Sequence, residues 1–397
     1  MTRGVGYLAF LLASLVLASV ARADDVPPEA VIATLPFDAK TEPNTIYVNV
    51  APVESPPFVL QLDTGSEASQ LTPRAARAAG VSVRRDKQDP YRHGTRLGRD
   101  VQFWVADRRS DTASTSSFEY GLLGGEFLDA YVVEIDFGAR SVRFLDPSRY
   151  QVPASVQTGD EAVLPLRIDG HRPFVEVRVE GRPITLLIDT GAPIPIWISG
   201  AAAKEIDVDP ESLPELGAIG IGIPAGKTGS RVAEVAAFEL GGFRFGPLPV
   251  VFVPHGLYNA GGTTDSLIGY DVLSRFVVRL DYPRKRLWLR RAAEGGIPFH
   301  GIDYGPMHDD GVLLRASAPK GYQVVGVRPE GPASRLGLQP GDKLLAESPT
   351  DGHPLSLSDV MTAIGQGQHV RVARKINDTW VDLDLPDDPV LKPQTAP

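Results

Sequence analysis
Cysteine is absent from all 397 residues. Its absence excludes disulfides, thiolate catalysis, zinc sites built on Cys and a lipid-anchored N-terminal Cys. A basic cluster is absent as well. The chain has 40 Lys and Arg against 49 Asp and Glu, a formal net charge of −9. Neither nucleic acid nor an anionic membrane is therefore an expected partner. After residue 20 no stretch approaches the roughly 18 apolar residues that a membrane helix needs. The serine-nucleophile pattern G-x-S-x-G does not occur. The seven histidines (His93, His171, His255, His300, His308, His353 and His369) show no metal-ligand spacing. No metal and no cofactor are expected. The segment Gly226-Lys227-Thr228 mimics the end of a phosphate-binding loop. The glycine required five positions before Gly226 is Ile221, so no nucleotide is expected. What is present is a globular balance, 43% hydrophobic and 22% charged, which excludes disorder across most of the chain and a collagen-like or coiled-coil class. The length suits two or three domains.

The N-terminus reads as an export signal. Thr2 and Arg3 form a short basic region, Val5 to Val20 is nearly unbroken apolar sequence, and Ala21-Arg22-Ala23 fits a small-x-small cleavage site before Asp24 and Asp25. Residues 1–23 are expected to be removed, leaving a chain exported to a periplasmic or extracellular space with no stable membrane insertion. An uncleaved anchor is the alternative. Loss of Arg3 and Arg22 carries the net charge from −9 to −11.

Most of the chain alternates short β-rich runs with Gly, Pro and Asp turns, the pattern of a mostly β protein. Helix-period segments are few: Arg74 to Ala79, Ala201 to Ile206, Ala333 to Leu336 and Leu357 to Ile364. Trp104, Trp197 and Trp288 sit in strand-like runs and are expected in the core. Self-similarity says more. FVLQLDTGSEASQLTPRAARAAG at 58–80 aligns without a gap on ITLLIDTGAPIPIWISGAAAKEI at 184–206, an offset of 126. GLLGGEFLDAYVVEIDF at 121–137 aligns on SLIGYDVLSRFVVRLDY at 266–282, an offset of 145. The boundaries that follow are a first unit over 24–155, a second over 156–292, a Gly/Pro-rich linker over 293–309, a compact C-terminal unit over 310–386 and a tail over 387–397.

The chemistry sits on two triplets. The apolar run Phe58 to Leu62 leads to Asp63-Thr64-Gly65, and Ile184 to Ile188 leads to Asp189-Thr190-Gly191. A hydrophobic strand thus delivers a carboxylate to an interior turn, and glycine lets another backbone approach closely. A lone Asp-Thr-Gly arises by chance in a chain this long about one time in ten, and an Asp before Gly ordinarily caps a turn. Two triplets inside an aligned repeat are hard to obtain by accident. Packed about a pseudo-twofold axis, Asp63 and Asp189 would share one site. Two adjacent carboxylates there cannot both ionise cheaply, so they hold one proton between them. Such a pair offers a base and an acid at once.

The two repeats resemble the retropepsin/pepsin clan of aspartic peptidases, with both lobes fused in one chain. The resemblance rests on the triplets and on Leu122-Leu123-Gly124 and Leu267-Ile268-Gly269, and covers about 260 residues. It implies a mostly β, bilobal pair of β-barrels with pseudo-twofold symmetry. It also implies Asp63 and Asp189 as catalytic carboxylates, supported by Thr64, Gly65, Ser66, Thr190, Gly191 and Ala192, with the two threonines forming a reciprocal interlobe grip. A polypeptide is the implied substrate. Ser66 follows the first triplet and Ala192 the second, so a hydroxyl near Asp63 is expected to make Asp63 the more readily ionised member. Ala218 to Ile223, with Gly220, Ile221, Gly222 and Ile223 as flap candidates, and Ser230 to Leu240 read as a long hairpin. The first repeat is shorter between Val81 and Val101 and is expected to lack a full flap.

The C-terminal unit resembles a bacterial-type PDZ domain, a small α+β fold, through Gly331-Pro332-Ala333-Ser334, Gly337-Leu338 and Pro340-Gly341-Asp342. Gly311, Val312, Leu313 and Leu314 would form its peptide-binding edge, for a peptide or protein ligand. Asp309 and Asp310 stand against capture of a carboxylate, and a docking module is the alternative. The reading as a whole is an exported aspartic endopeptidase. Its rival is a non-catalytic peptide-binding scaffold with a PDZ docking module.

Overall fold
Runs of three to eight β-branched and aromatic residues, punctuated by turn formers, can bury themselves only by pairing. The computed structural model describes residues 26–37, 46–51, 59–78, 91–105, 121–192, 196–213, 215–221, 228–245, 248–253, 266–292, 312–316, 322–327, 331–339, 341–344, 360, 363–376 and 379–386. Residues 1–23, 293–309 and 387–397, read from the sequence as signal, linker and tail, lie outside them. No described helix is long and apolar enough to cross a membrane.

Each copy of the repeat builds one sheet. In the first, the strand order is Tyr47–Asn49, Val59–Leu62, Gly121–Leu123, Ser69–Leu71, Val101–Val105 and Tyr91–His93. In the second it is Glu215–Ile221, Thr228–Val235, Leu248–Val253, Ile196–Ser199, Leu267–Ile268, Arg182–Ile188, Arg172–Val179, Phe238–Leu240 and Phe243–Phe245, with Arg167–Asp169 added beside Arg172–Val179. The same weave recurs in both. The strand that ends in the triplet runs parallel to the later landmark strand, Leu62 beside Leu123 and Ile188 beside Ile268. That landmark strand lies antiparallel to the strand that follows the triplet. Among the described residues these sheets stay open. The expected pair of β-barrels is built as open sheets: the largest sheet ends in the hairpin Glu215–Ile221/Thr228–Val235 on one side and Phe243–Phe245 on the other, and these edges do not pair with each other.

A third sheet joins the copies, in the order Val31–Pro36, Ser141–Leu145, Val132–Asp136, Phe276–Asp281, Arg286–Arg291, Glu161–Pro165. The seam is the antiparallel pair Val132–Asp136 and Phe276–Asp281, in which Glu134 faces Arg279. These two residues, 145 apart, are equivalents in the repeat, so the pseudo-twofold axis passes between them. Arg279 is 0% exposed. Its Nε donates to Glu134 at 2.5 Å, its Nη1 donates to the Tyr150 hydroxyl at 2.5 Å, and its guanidinium lies 4.1 Å from the Trp288 ring centre. Glu134 also accepts two hydrogen bonds from Arg143, at 2.6 and 2.8 Å. A charge in so dry a place is tolerable only because each of its partners is in position.

The helices at Pro73–Ala78, Gly200–Glu205 and Pro332–Arg335 coincide with helix-period segments, and Ser199 caps the second by accepting the Ala202 N–H. Two four-residue helices, Gly125–Leu128 and Tyr270–Leu273, follow the landmark glycines; they are too short to show a period. Trp288 is buried and Trp197 packs on the core, but Trp104 is 40% exposed. Alternation along Val101–Val105 turns Val101 and Phe103 inward and Trp104 out.

The C-terminal residues form a separate sheet of Val312–Ala316, Tyr322–Val327, Lys343–Leu344, Val370–Ile376 and Thr379–Leu385. Its own core includes Val324, Ala333, Leu336, Leu344, Ile364 and Val372. Arg374 pairs with Asp342 through two bonds of 2.7 Å. Val312, Leu313 and Leu314 lie on the edge strand, while Gly311 falls outside the described residues.

Candidate active site
The parallel pairing of each triplet strand with its landmark strand pins the turn that follows. Asp63 N–H donates to the Leu123 carbonyl at 3.1 Å, and Asp189 N–H to the Ile268 carbonyl at 2.9 Å. The two turns then meet across the seam between the copies. Thr64 Oγ1 donates to the Ile188 carbonyl and Thr190 Oγ1 to the Leu62 carbonyl, both at 2.6 Å. Each hydroxyl also accepts the other threonine's N–H at 3.1 Å. Both threonines are buried, so these four bonds form without competition from water.

Glycine is required at the crossing. A Cβ on Gly65 would overlap the Asp189 carboxyl, and one on Gly191 would stand 2.6 Å from Asp63 Cγ. Each carboxyl therefore lies on the opposite copy's glycine, and each shifts the titration of the other. Asp189 is 5% exposed, whereas Asp63 keeps a partly exposed edge. Burial raises Asp63 above its ordinary range, against the opposing pull of the Gly65 and Ser66 N–H groups and of Asp189. Asp189 is pushed well above that range, first by burial and then by the Asp63 charge, although Gly191 N–H donates to its Oδ1 at 2.9 Å. Two backbone donors and a partly exposed edge favour the charge on Asp63, against one donor and deeper burial for Asp189, so Asp63 is the more readily ionised member of a pair that titrates together.

The physical reason differs from the one expected. The Ser66 hydroxyl donates to the Ala68 carbonyl at 2.9 Å and not to Asp63. It is the Ser66 backbone N–H that reaches Asp63 Oδ1, at 3.0 Å, beside Gly65 N–H at 2.9 Å. Ala192 is buried in an apolar cluster with Phe174, Leu187 and Leu267.

Gly220 and Ile221 end the described part of the long hairpin, opposite Gly229 and Thr228. Gly222 and Ile223 lie outside the described residues, as do residues 79–90, where the first repeat was expected to lack its flap. Three features near the site were not read from the sequence. Gln61 donates across the seam to the Gly191 carbonyl at 3.0 Å. The Tyr282 hydroxyl is buried and raised out of its ordinary range, by burial and then by the charges of Asp129 and Asp63. The tip of the hairpin Arg167–Asp169/Arg172–Val179 reaches from the second copy onto the first. There Arg172 meets Glu67 at 3.1 Å, and His171 Nδ1 lies 2.6 Å from Asp129 Oδ2. The only sequence signal for this contact was a charged Asp169-Gly170-His171-Arg172 turn.

A family model described as Aspartyl protease matches residues 175–272. The matched stretch holds Asp189-Thr190-Gly191 and Leu267-Ile268-Gly269, and leaves the first copy unmatched. No curated protein matches the chain. Among solved structures, the chain is similar to a retropepsin-like aspartic protease from Rickettsia conorii, at 20% identity over 33% of this chain and 90% of that one, with a TM-score of 0.26. It is also similar to Basic 7S globulin from soybean, at 12% identity over 66% of this chain and 96% of that one, with a TM-score of 0.38. The family match, with a mostly β fold, supports an aspartic-protease-like chain and a peptidase function.

Proposed function
We propose that this protein is an exported aspartic endopeptidase. One observation carries the reading: two carboxyls from equivalent positions of a duplicated unit each lie on the opposite copy's glycine, between turns held by reciprocal threonine bonds. Ionised Asp63 takes a proton from a water molecule as its oxygen attacks the peptide carbonyl carbon. Protonated Asp189 gives its proton to the carbonyl oxygen. In the tetrahedral species the proton gained by Asp63 passes to the amide nitrogen, the C–N bond breaks, and Asp189 recovers its proton from the collapsing diol. Proton transfers of this kind contribute on the order of 10² to 10⁴ in rate. The Gly/Ile hairpin Glu215–Ile221/Thr228–Val235 would cover an extended polypeptide, and the C-terminal unit would dock a peptide or protein.

The test is incubation with an unfolded protein between pH 3 and 7. Wild type should cleave it, while Asp63→Asn and Asp189→Asn should each lose at least about a thousandfold in rate. Equal cleavage by the variants would mark a contaminant. Binding of the polypeptide without cleavage by wild type would favour the scaffold reading.

A further inference from the structure
Gln61 and Leu187 occupy the same place in the two copies, two residues before each catalytic aspartate, yet only one of them is polar. Gln61 is 3% exposed. Its Nε2 spans the seam and donates to the Gly191 carbonyl at 3.0 Å, while its Oε1 is buried and has no hydrogen-bond partner among the described residues. An amide buried with half of its polar capacity unmatched costs about 1–3 kcal/mol. Packing alone would prefer a leucine, as the second copy has. The amide therefore serves something other than the core.

We propose that Gln61 is a positioning residue that anchors Gly191 of the opposite copy, so that the Gly191 N–H stays on the Asp189 carboxyl. The proposal rests on the peptidase reading of the dyad and assigns the asymmetry within it. The Gly191 carbonyl and the Ala192 N–H are the two ends of one peptide group. Anchoring the carbonyl from across the seam restrains Gly191, whose own N–H donates to Asp189 Oδ1 at 2.9 Å. Gly191 N–H is the backbone group that hydrogen-bonds the Asp189 carboxyl, whereas Ala192 N–H goes to the Asp189 backbone carbonyl at 3.4 Å. Leu187 has no donor to offer the Gly65 carbonyl, so the Asp63 turn receives no such help. Among the described residues Asp63 is the ionisable group whose charge acts on Asp189, and Asp63 acts in turn on the Tyr282 phenol. Gln61 is a neutral lever on the pair that comes from the far side of the seam and has no counterpart in the other copy.

The experiment is a carboxyl-carbon NMR titration of protein labelled with ¹³C-aspartate, which needs no turnover. Asp189→Asn serves to assign the pair. In Gln61→Leu the higher of the two pair pKa values should rise by about half a pH unit or more. The alkaline limb of kcat/KM should move up with it, and kcat should fall about tenfold as the turn loosens. If Gln61→Leu does not fold, as judged by thermal unfolding, Gln61→Met is titrated in its place. An unmoved titration in a folded variant overturns the proposal, as does an activity loss that is equal at every pH. A shifted titration in a protein that never cleaves peptide would instead overturn the peptidase reading and leave the positioning role standing.

Discussion
Asp189 is the residue on which the pH behaviour of the molecule turns. Its carboxyl sits well above the ordinary value of 3.8 because it is buried beside the charge of Asp63. Below that value folded and unfolded chains both hold the proton, and the raised pKa takes nothing from stability. As pH climbs, the unfolded chain ionises freely while the native carboxyl does not, so stability falls until the native group has itself lost its proton. Asp189→Asn removes the group that must ionise. The variant should unfold like wild type near pH 3 and be more stable by about 1–3 kcal/mol at pH 7, read from urea denaturation at both pH values. An advantage that was larger at acid pH would mean that the proton sits elsewhere. Ser66→Ala should leave the acid limb of the pH–rate profile in place, because the donor to Asp63 is a backbone N–H that the substitution keeps. Both aspartates were legible in the sequence, since a motif repeated in register is hard to produce by chance. The role of Ser66 was misread. A hydroxyl beside a carboxylate in sequence can turn to any acceptor in reach, and only the local fold decided for the Ala68 carbonyl.

At the scale of elements, the triplet turns are held by the crossing of two strands and by the threonine grip. Thr64→Val keeps the volume and removes the hydroxyl. It leaves the Ile188 carbonyl and the Thr190 N–H buried without their partner. Two orphaned polar groups should lower stability by about 2–4 kcal/mol, measured by thermal unfolding, and Thr64→Ser should recover most of the loss. Much of this architecture was legible: short β-rich runs between Gly, Pro and Asp turns marked the strands, and the two offsets marked which of them correspond. The helices Gly125–Leu128 and Tyr270–Leu273 were not, because one turn carries no periodicity. Gln61 was not legible either. Inside an apolar run it reads as an outward residue of a half-buried strand, and nothing local tells that its outward face meets another copy of the same turn. The mostly β fold expected from the resemblance is present, and among the described residues its β-barrel pair is built as open sheets, because pairing at an edge depends on where a hairpin projects and not on the strand pattern itself.

For the whole molecule the central sheet matters most, since it joins the copies by continuous strand pairing. Single copies, 24–155 and 156–292, produced as separate polypeptides should associate with each other and restore both the dyad and its activity, while neither should form an active pair with itself. Size-exclusion chromatography of each alone and of the mixture, with a cleavage assay, checks this. The expectation comes from one spot at the seam. A residue on a twofold axis would meet its own twin in a symmetric dimer, and here the twins have become Glu134 and Arg279. Two glutamates in that dry place would repel each other, as would two arginines, whereas the mixed pair is satisfied. Asymmetry at this one position works as a lock and its key: each half carries the charge that the other lacks, so neither is complete without its counterpart.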